Sequence, residues 1–421
     1  MDLNDEAERL PLIGVRVLDV TQVWAGPYST RWLADMGAEV IKVESIQHPD
    51  SERLSAGRRG PAAASGEPYF NRGPRFNQVN CNKLGITLDL SRPEGVAIYK
   101  RLVKVSDVVV ENYSAGVMKR FGVDYESLRL IRPDIIMMSM PGFGTKGPQS
   151  HHLSYGPVQE AVSGLISITG YHPGEYLETG EFYADPINGS FGAAALFAAL
   201  FNKRRTGRGV YIDLAQSEAM IACLPELVLE YQMTGRALQP VANRHPIKAP
   251  HGCYRCNGED NWLVIAVGKE DEWRGLCEAM QQPQLTADPR FATMPDRLAH
   301  QDELDAVIGA WTLDKEHYAL MHLLQGKGVP AQAVVDIEEM VHDPHIQARG
   351  LLETVPSPWT GDQLTVGVPC KIPGVPAGIR RHAPGLGEHN RQVLQELAGV
   401  SQQELDALEA SGVIGYAPAG R

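Results

Sequence analysis

Residues 15–44 read VRVLDVTQVWAGPYSTRWLADMGAEVIKVE. Val15 to Val20 is a short apolar run rich in valine and reads as a strand; Gly26 and Pro27 mark a turn. Tyr28 to about Met36 then reads as a helix, and Val40 to Val43 as a second strand. A strand, helix and strand in this order form a βαβ unit, which predicts a parallel sheet.

Outward from this unit the pattern repeats. ITLDL (86–90) is followed by a helix through Gly95 to Val105, then DVVVEN (107–112), a helix near Gly116 to Phe121, and the very apolar IIMMSM (135–140). The alternation predicts an α/β fold whose large domain holds a parallel, Rossmann-like sheet. From Asp50 to Asn80 the chain turns to Gly, Pro, Ala and Arg without periodicity, which suggests a long functional loop outside the core, carrying Arg53, Arg58, Arg59, Arg72 and Arg75. From about Glu160 to Glu230 the chain reads as helical. Its clearest helix runs from Pro186 to Arg205, with Lys203, Arg204 and Arg205 in the last turn and Gly207 as a stop, and the strand VYIDLA (210–215) follows. Prolines at 240, 246 and 250 mark a linker into a second region that opens with CYRCNGEDNWLVIAVG (253–268). Short strands LLETVP and LTVGVPCKIP, the loop PGLGEH and a helix from Asn390 to Leu397 close the chain. The expected organisation is a large α/β domain over 1–235, a smaller α/β domain with linkers over 236–345, and a segment over 346–421 that returns to the large domain.

With 421 residues, 43% of them apolar, the chain has enough material for two globular parts. A formal charge of −12 argues against a phosphate backbone as the main partner. The acidic start MDLNDEAERLPLIG lacks a basic, then apolar leader, and no apolar run approaches the roughly 18 residues of a membrane span, so a cytoplasmic location is expected. The six cysteines are sparse and irregularly spaced, which points to reduced thiols.

Asp185 stands directly before Pro186 at the head of the clearest helix. There an Asp would cap the helix and Pro would fill its first turn, and on sequence logic alone capping is the favoured reading. A catalytic role is compatible with it, because a carboxylate at a helix N-terminus is held ionised by the dipole and free amides, as a nucleophile requires. Gly142 to Gly147 matches GxGxxG after a strand, but Pro148 and polar residues follow where a helix should open. The first strand-to-helix turn, Trp24 to Pro27, lacks the second and third glycines of a dinucleotide fingerprint, so NAD and FAD are not expected. Cys253 and Cys256 form a single CxxC with His251 nearby and no second cluster, so no metal is expected. His151 and His152 read as solvated surface residues. GxSxG, HExxH and GxxxxGK[ST] are all missing from the sequence.

Taken together, GVRVLDVTQVWAGPYSTRWLADMGAEVIKVE, NCNKLGITLDL, DVVVENYSAGVMKRFG, the ADPINGS helix, RRTGRGVYIDLA and PGLGEHNRQVLQELAG resemble family III CoA transferases, the CaiB/BaiF type that includes formyl-CoA and carnitine enzymes. The resemblance spans nearly the whole chain. It implies a large α/β domain linked to a small one, with two chains threaded as interlocked rings in a homodimer, or a heteromer with a related subunit. It also implies an enzyme that moves CoA from an acyl-CoA donor to a carboxylic acid, with coenzyme A as co-substrate and no other cofactor, and Asp185 as nucleophile through a mixed anhydride and an aspartyl-CoA thioester. By motif position CoA would lie against Trp24, Ala25, Leu88, Asp89, Leu90, Ser91, Asn112, Tyr113, Ser114 and Arg120, with Tyr155 near the reacting end and Arg120 on phosphate. Backbone amides near Gly142 or Gly252 would serve the oxyanion. Ser45 stands where a formyl-CoA transferase has arginine, and HGCYRCNGED replaces that enzyme's tetraglycine loop, so oxalate and formate are poor candidates. Arg58, Arg59 and Arg92 could replace the missing charge, and Trp24 suggests a roomier acyl site for an aromatic or branched dicarboxylic acid. Two other readings stay open: an α-methylacyl-CoA racemase, which needs a histidine where Tyr155 stands and to which His151 or His152 could be shifted, and a non-catalytic subunit of a heteromer.

Overall fold

A computed structural model describes residues 10–55 and 68–419. Six strands form one sheet: β1 (Arg16–Asp19), β2 (Glu39–Glu44), β3 (Lys83–Thr87), β4 (Val108–Glu111), β5 (Ile136–Ser139) and β6 (Tyr211–Asp213). They are ordered β3-β2-β1-β4-β5-β6 and every neighbouring pair is parallel, with Val17 opposite Val40 on one side and Val108 on the other. Central strands of such a sheet are covered on both faces, which is why β4 (VVVE) and β5 (IMMS) are nearly continuous apolar runs.

The two faces take alternate residues. Leu18, Ile41, Ile86 and Val109 point into one core with Ile98, Tyr99 and Leu102 of α3 (Pro93–Lys104) and with Val393, Leu394, Leu405 and Leu408 of the last two helices, Asn390–Glu396 and Gln402–Ala410. Val17, Val40, Val110 and Met138 point the other way, against Leu33 and Ala34 of α1 (Ala25–Asp35) and Ala193, Leu196 and Ala199 of α6 (Ala184–Thr206). Small residues let α1 and α6 approach closely: a Cβ on Gly189 would lie 2.8 Å from the Ala25 carbonyl oxygen, and one on Gly192 3.1 Å from Ser29 Cβ. That contact seats the head of α6 beside the turn that follows β1.

Two expectations fail here. Residues 169–183 are not helical, because Gly170, Pro173, Gly174 and Gly180 break the run. The Asp50–Asn80 segment is partly core and not merely loop: Arg53 is wholly buried, ion-paired to Glu44 at 2.7 Å and stacked 3.6 Å above the Phe76 ring on α2 (Pro74–Val79). Arg58 and Arg59 lie outside the described residues. Beside that pair, Lys42–Asp50 at 3.0 Å and Lys83–Asp19 at 2.9 Å complete a buried charge network around the ends of β1 and β2.

The chain divides into two compact units. The first comprises Met1–Leu165, Glu178–Arg236 and Gly350–Arg421 and holds the parallel sheet; in its last segment β10 (Leu352–Ser357) and β11 (Gly361–Val366) form a hairpin whose Val366 carbonyl accepts a 2.6 Å bond from Arg31. The second comprises Ile166–Leu177 and Ala237–Arg349, with an antiparallel sheet of β7 (His251–Arg255), β8 (Trp262–Ala266) and β9 (Ala331–Val334) packed on Trp273, Phe291, Leu304 and Leu320. Among the described residues no helix is long and apolar enough to cross a membrane.

Candidate active site

In a sheet of this order the chain leaves β1 toward β2 on one side and returns to β4 on the other, so the loops after β1 and β4 diverge and leave a crevice at their carboxyl ends. Gln22, after β1, and Asn112, after β4, tie across it with two bonds of 2.8 Å between the amide side chain of Asn112 and the backbone of Gln22. Val23 is held at φ +69°, a left-handed conformation that a β-branched residue rarely adopts. The buried Asp50 carboxylate enforces it by accepting the Val23 amide at 3.1 Å and 3.2 Å.

Three cavities meet along this crevice. One of about 190 Å³ is lined by Val23, Ala25, Asn112, Tyr113, Ser114, Gly142, His152, Ser154, Tyr155 and Asp185, among others. A second, of about 450 Å³, runs over Ser45, Gln47, His48, Leu88, Asp89, Leu90, Ser91 and Tyr113. A third, of about 720 Å³, joins Val23 and Tyr155 to Tyr69, Phe70 and the C-terminal residues Ala417–Ala419. Gln22 lines all three. Ala25, Asn112, Tyr113, Ser114 and Tyr155 therefore share the smaller chamber with Asp185, while Leu88, Asp89, Leu90 and Ser91 line the long arm of the groove. Trp24 and Arg120 are not among the lining residues of these cavities: Arg120 is exposed on α4 (Val117–Arg120), and the Trp24 ring is covered by the Arg75 guanidinium, 4.5 Å above it. Ser45 lines the long arm, away from the chamber that holds Asp185, and Gly252 lies on β7 in the second unit.

Asp185 is the second residue of α6 and does not cap it; the residue before the helix is Tyr183, which makes no side-chain cap bond. The carboxyl is 8% exposed and accepts the Ala25 backbone amide. It also presses on Gly156, the first residue of α5 (Gly156–Ser163): a Cβ there would stand 2.5 Å from Asp185 Oδ2. Burial pushes its pKa up from 3.8 to about 6, against the Ala25 amide and the nearby Arg75 charge, with Glu52 and Glu160 adding to the rise. The helix terminus and the amide were expected to hold this group ionised; desolvation outweighs them and raises its pKa. Near neutral pH the group is still mostly a carboxylate, desolvated and facing a cavity, which is what an oxygen nucleophile needs.

Sequence reasoning missed Gln22, Val23, Ser154, Gly156 and Gln159. Of these only Gly156-Pro157 carries a local signal, as a helix start, and nothing in that signal says what the glycine touches. His152, read as a solvated histidine, is exposed but lines the same chamber as Asp185, its ring edge-on to Phe143 at 6.0 Å.

The sequence profile of CoA-transferase family III matches residues 12–390. The chain belongs to that family. As a family III CoA-transferase it is 35% identical over 404 residues to a succinyl-CoA–D-citramalate CoA-transferase of Chloroflexus aurantiacus, covering 96% of this chain and 98% of the relative. It is likewise 35% identical to a succinate–glutarate CoA-transferase of Agrobacterium fabrum, covering 93% and 97%. Among solved structures, a CaiB/BaiF family protein from Brucella suis superposes with a TM-score of 0.81 at 30% identity over 92% of this chain and 99% of that one. The enzyme is a CoA-transferase acting between an acyl-CoA and a carboxylic acid, with coenzyme A as substrate.

Proposed function

We propose that this CoA-transferase carries CoA from succinyl-CoA, or a similar donor, to a second short dicarboxylic acid by covalent catalysis on Asp185. The carboxylate attacks the donor thioester carbonyl, the C–S bond breaks, and a mixed anhydride and CoA thiolate result. The thiolate then attacks the Asp185 carbonyl of the anhydride and expels the donor acid, leaving aspartyl-CoA. The acceptor carboxylate attacks that thioester, releasing thiolate and forming a new anhydride, and thiolate attack on the acceptor acyl carbon frees both acyl-CoA and Asp185. One observation carries the reading: a desolvated carboxyl with pKa about 6 lines a small chamber that shares Gln22 and Tyr113 with the long groove over Leu88–Ser91. CoA would occupy the groove and the acyl group the chamber, with the Gly142 amide a candidate donor to the oxyanion.

By name the relatives act between succinyl-CoA and D-citramalate, or between succinate and glutarate, which favours a linear or branched dicarboxylic acceptor here. The test is a panel of such acids with succinyl-CoA, followed by chromatography of the acyl-CoA products: new acyl-CoA forms with at least one acid, and Asp185→Ala makes none while still binding CoA. Racemisation is the second reading, favoured by His152 in the chamber. Deuterium uptake at the α-carbon of a branched acyl-CoA, without CoA exchange, would decide for it.

A further inference from the structure

Beyond the nucleophile, the chamber wall contains a hydroxyl whose orientation is set by a buried amide. Gly142 follows β5 and Ser154 precedes α5, and both line the chamber with Asp185. They touch because position 142 has no side chain: a Cβ there would fall 1.7 Å from Ser154 Oγ and 2.5 Å from Gln159 Nε2. Gln159 is wholly buried on α5, and its amide NH₂ donates to Ser154 Oγ. A serine oxygen that accepts such a bond still has its own proton to give. Among the described residues no acceptor takes that proton. Turning the amide over would let the serine donate to Gln159 instead, but it would leave both amide N–H groups buried without partners, where the present orientation leaves the carbonyl oxygen and one N–H unpaired. An under-satisfied carbonyl is the cheaper of the two.

We propose that the Ser154 hydroxyl, aimed by Gln159, donates a hydrogen bond to the oxyanion of the tetrahedral intermediates formed at Asp185, alongside the Gly142 amide. Ser154 is then a catalytic residue and Gln159 a positioning residue. The inference rests on Asp185 being the nucleophile. Negative charge develops on the thioester or anhydride oxygen only as the new C–O or C–S bond forms, so the hydroxyl binds the transition state and not the ground-state substrate.

The experiment is rapid-quench measurement of covalent adduct formation with succinyl-CoA in the parent enzyme and in Ser154→Ala, Ser154→Thr and Gln159→Met. Removing one oxyanion donor from a half-open chamber slows the adduct step by about 10- to 100-fold, with the donor KM within about twofold. Ser154→Thr, which keeps a hydroxyl, recovers most of the rate. Gln159→Met slows the parent but adds nothing in the Ser154→Ala background, because the two act as one unit. Ser154→Ala reacting within about threefold of the parent, or Gln159→Met costing the same in both backgrounds, overturns the proposal. The adduct in the parent tests the nucleophile and its rate in Ser154→Ala tests the hydroxyl, so the two failures read out separately.

Discussion

Replacing Asp185 by asparagine is expected to silence the enzyme and to stabilise its fold in the same stroke. The carboxyl is 8% exposed and its pKa lies at about 6 against an ordinary 3.8. Well below the unfolded value the group is protonated in both folded and unfolded chains and carries no penalty. As pH rises from there the unfolded chain ionises first, and above about 6 the folded protein bears the whole cost of a desolvated carboxylate, about 3 kcal/mol for a gap of this size. Asparagine is nearly isosteric, keeps an oxygen for the Ala25 amide and never ionises. Thermal melts should therefore show Asp185→Asn a few degrees above the parent at a pH of about 7.5 and level with it at a pH of about 4. CoA exchange by the variant should be undetectable. A variant that melts with the parent at both pH values, or gains equally at both, would refute the claim that desolvation of this carboxylate dominates the site.

The parent's kcat/KM should lose half its value near pH 6 on the acid side, since only the ionised Asp185 attacks; Arg75→Gln removes the positive charge that lowers the Asp185 pKa and should move that limb upward, which a pH–rate profile reads directly. Gly156→Ala places a methyl 2.5 Å from Asp185 Oδ2 and 2.7 Å from Phe182 Cβ, and exchange is expected to fall at least about tenfold while coenzyme binding persists, as steady-state kinetics and calorimetry would show. Arg53→Met strands the buried Glu44 carboxylate, whose pKa the arginine now holds below the ordinary value. The loss should be about 3–5 kcal/mol in urea titrations at neutral pH and should shrink as pH falls and Glu44 is protonated.

The parallel sheet was legible because its strands are apolar on both faces: Val15 to Val20, Val40 to Val43 and Ile135 to Met140 fall within a residue or two of β1, β2 and β5. The helix read from Pro186 to Arg205 runs from Ala184 to Thr206, ended by Gly207 at φ +71°. The helix Gln402–Ala410 escaped notice because only Leu405 and Leu408 of its mostly polar sequence face the core. Arg53 and Phe76 escaped too, since a buried arginine stacked on an aromatic ring looks, one residue at a time, like loop composition. The site divides along the same line. Residues at strand ends could be placed from sequence because the sheet fixes where strand ends go. Gly156, Ser154 and Gln159 could not, because what matters about them is which distant atoms they meet. The raised proton affinity of Asp185 was not legible for a related reason: position on a helix can be read from sequence, but depth cannot.

The whole account turns on a bond between Asp185 and its substrates. Intact-protein mass spectrometry of the enzyme mixed with succinyl-CoA, with hydroxylamine capture and peptide mapping, tests it most directly. A modification confined to the peptide containing Asp185, formed fast enough to lie on the path and lost when an acceptor acid is added, is the predicted result. An enzyme that turns over with no adduct, or with one on a different side chain, would contradict it.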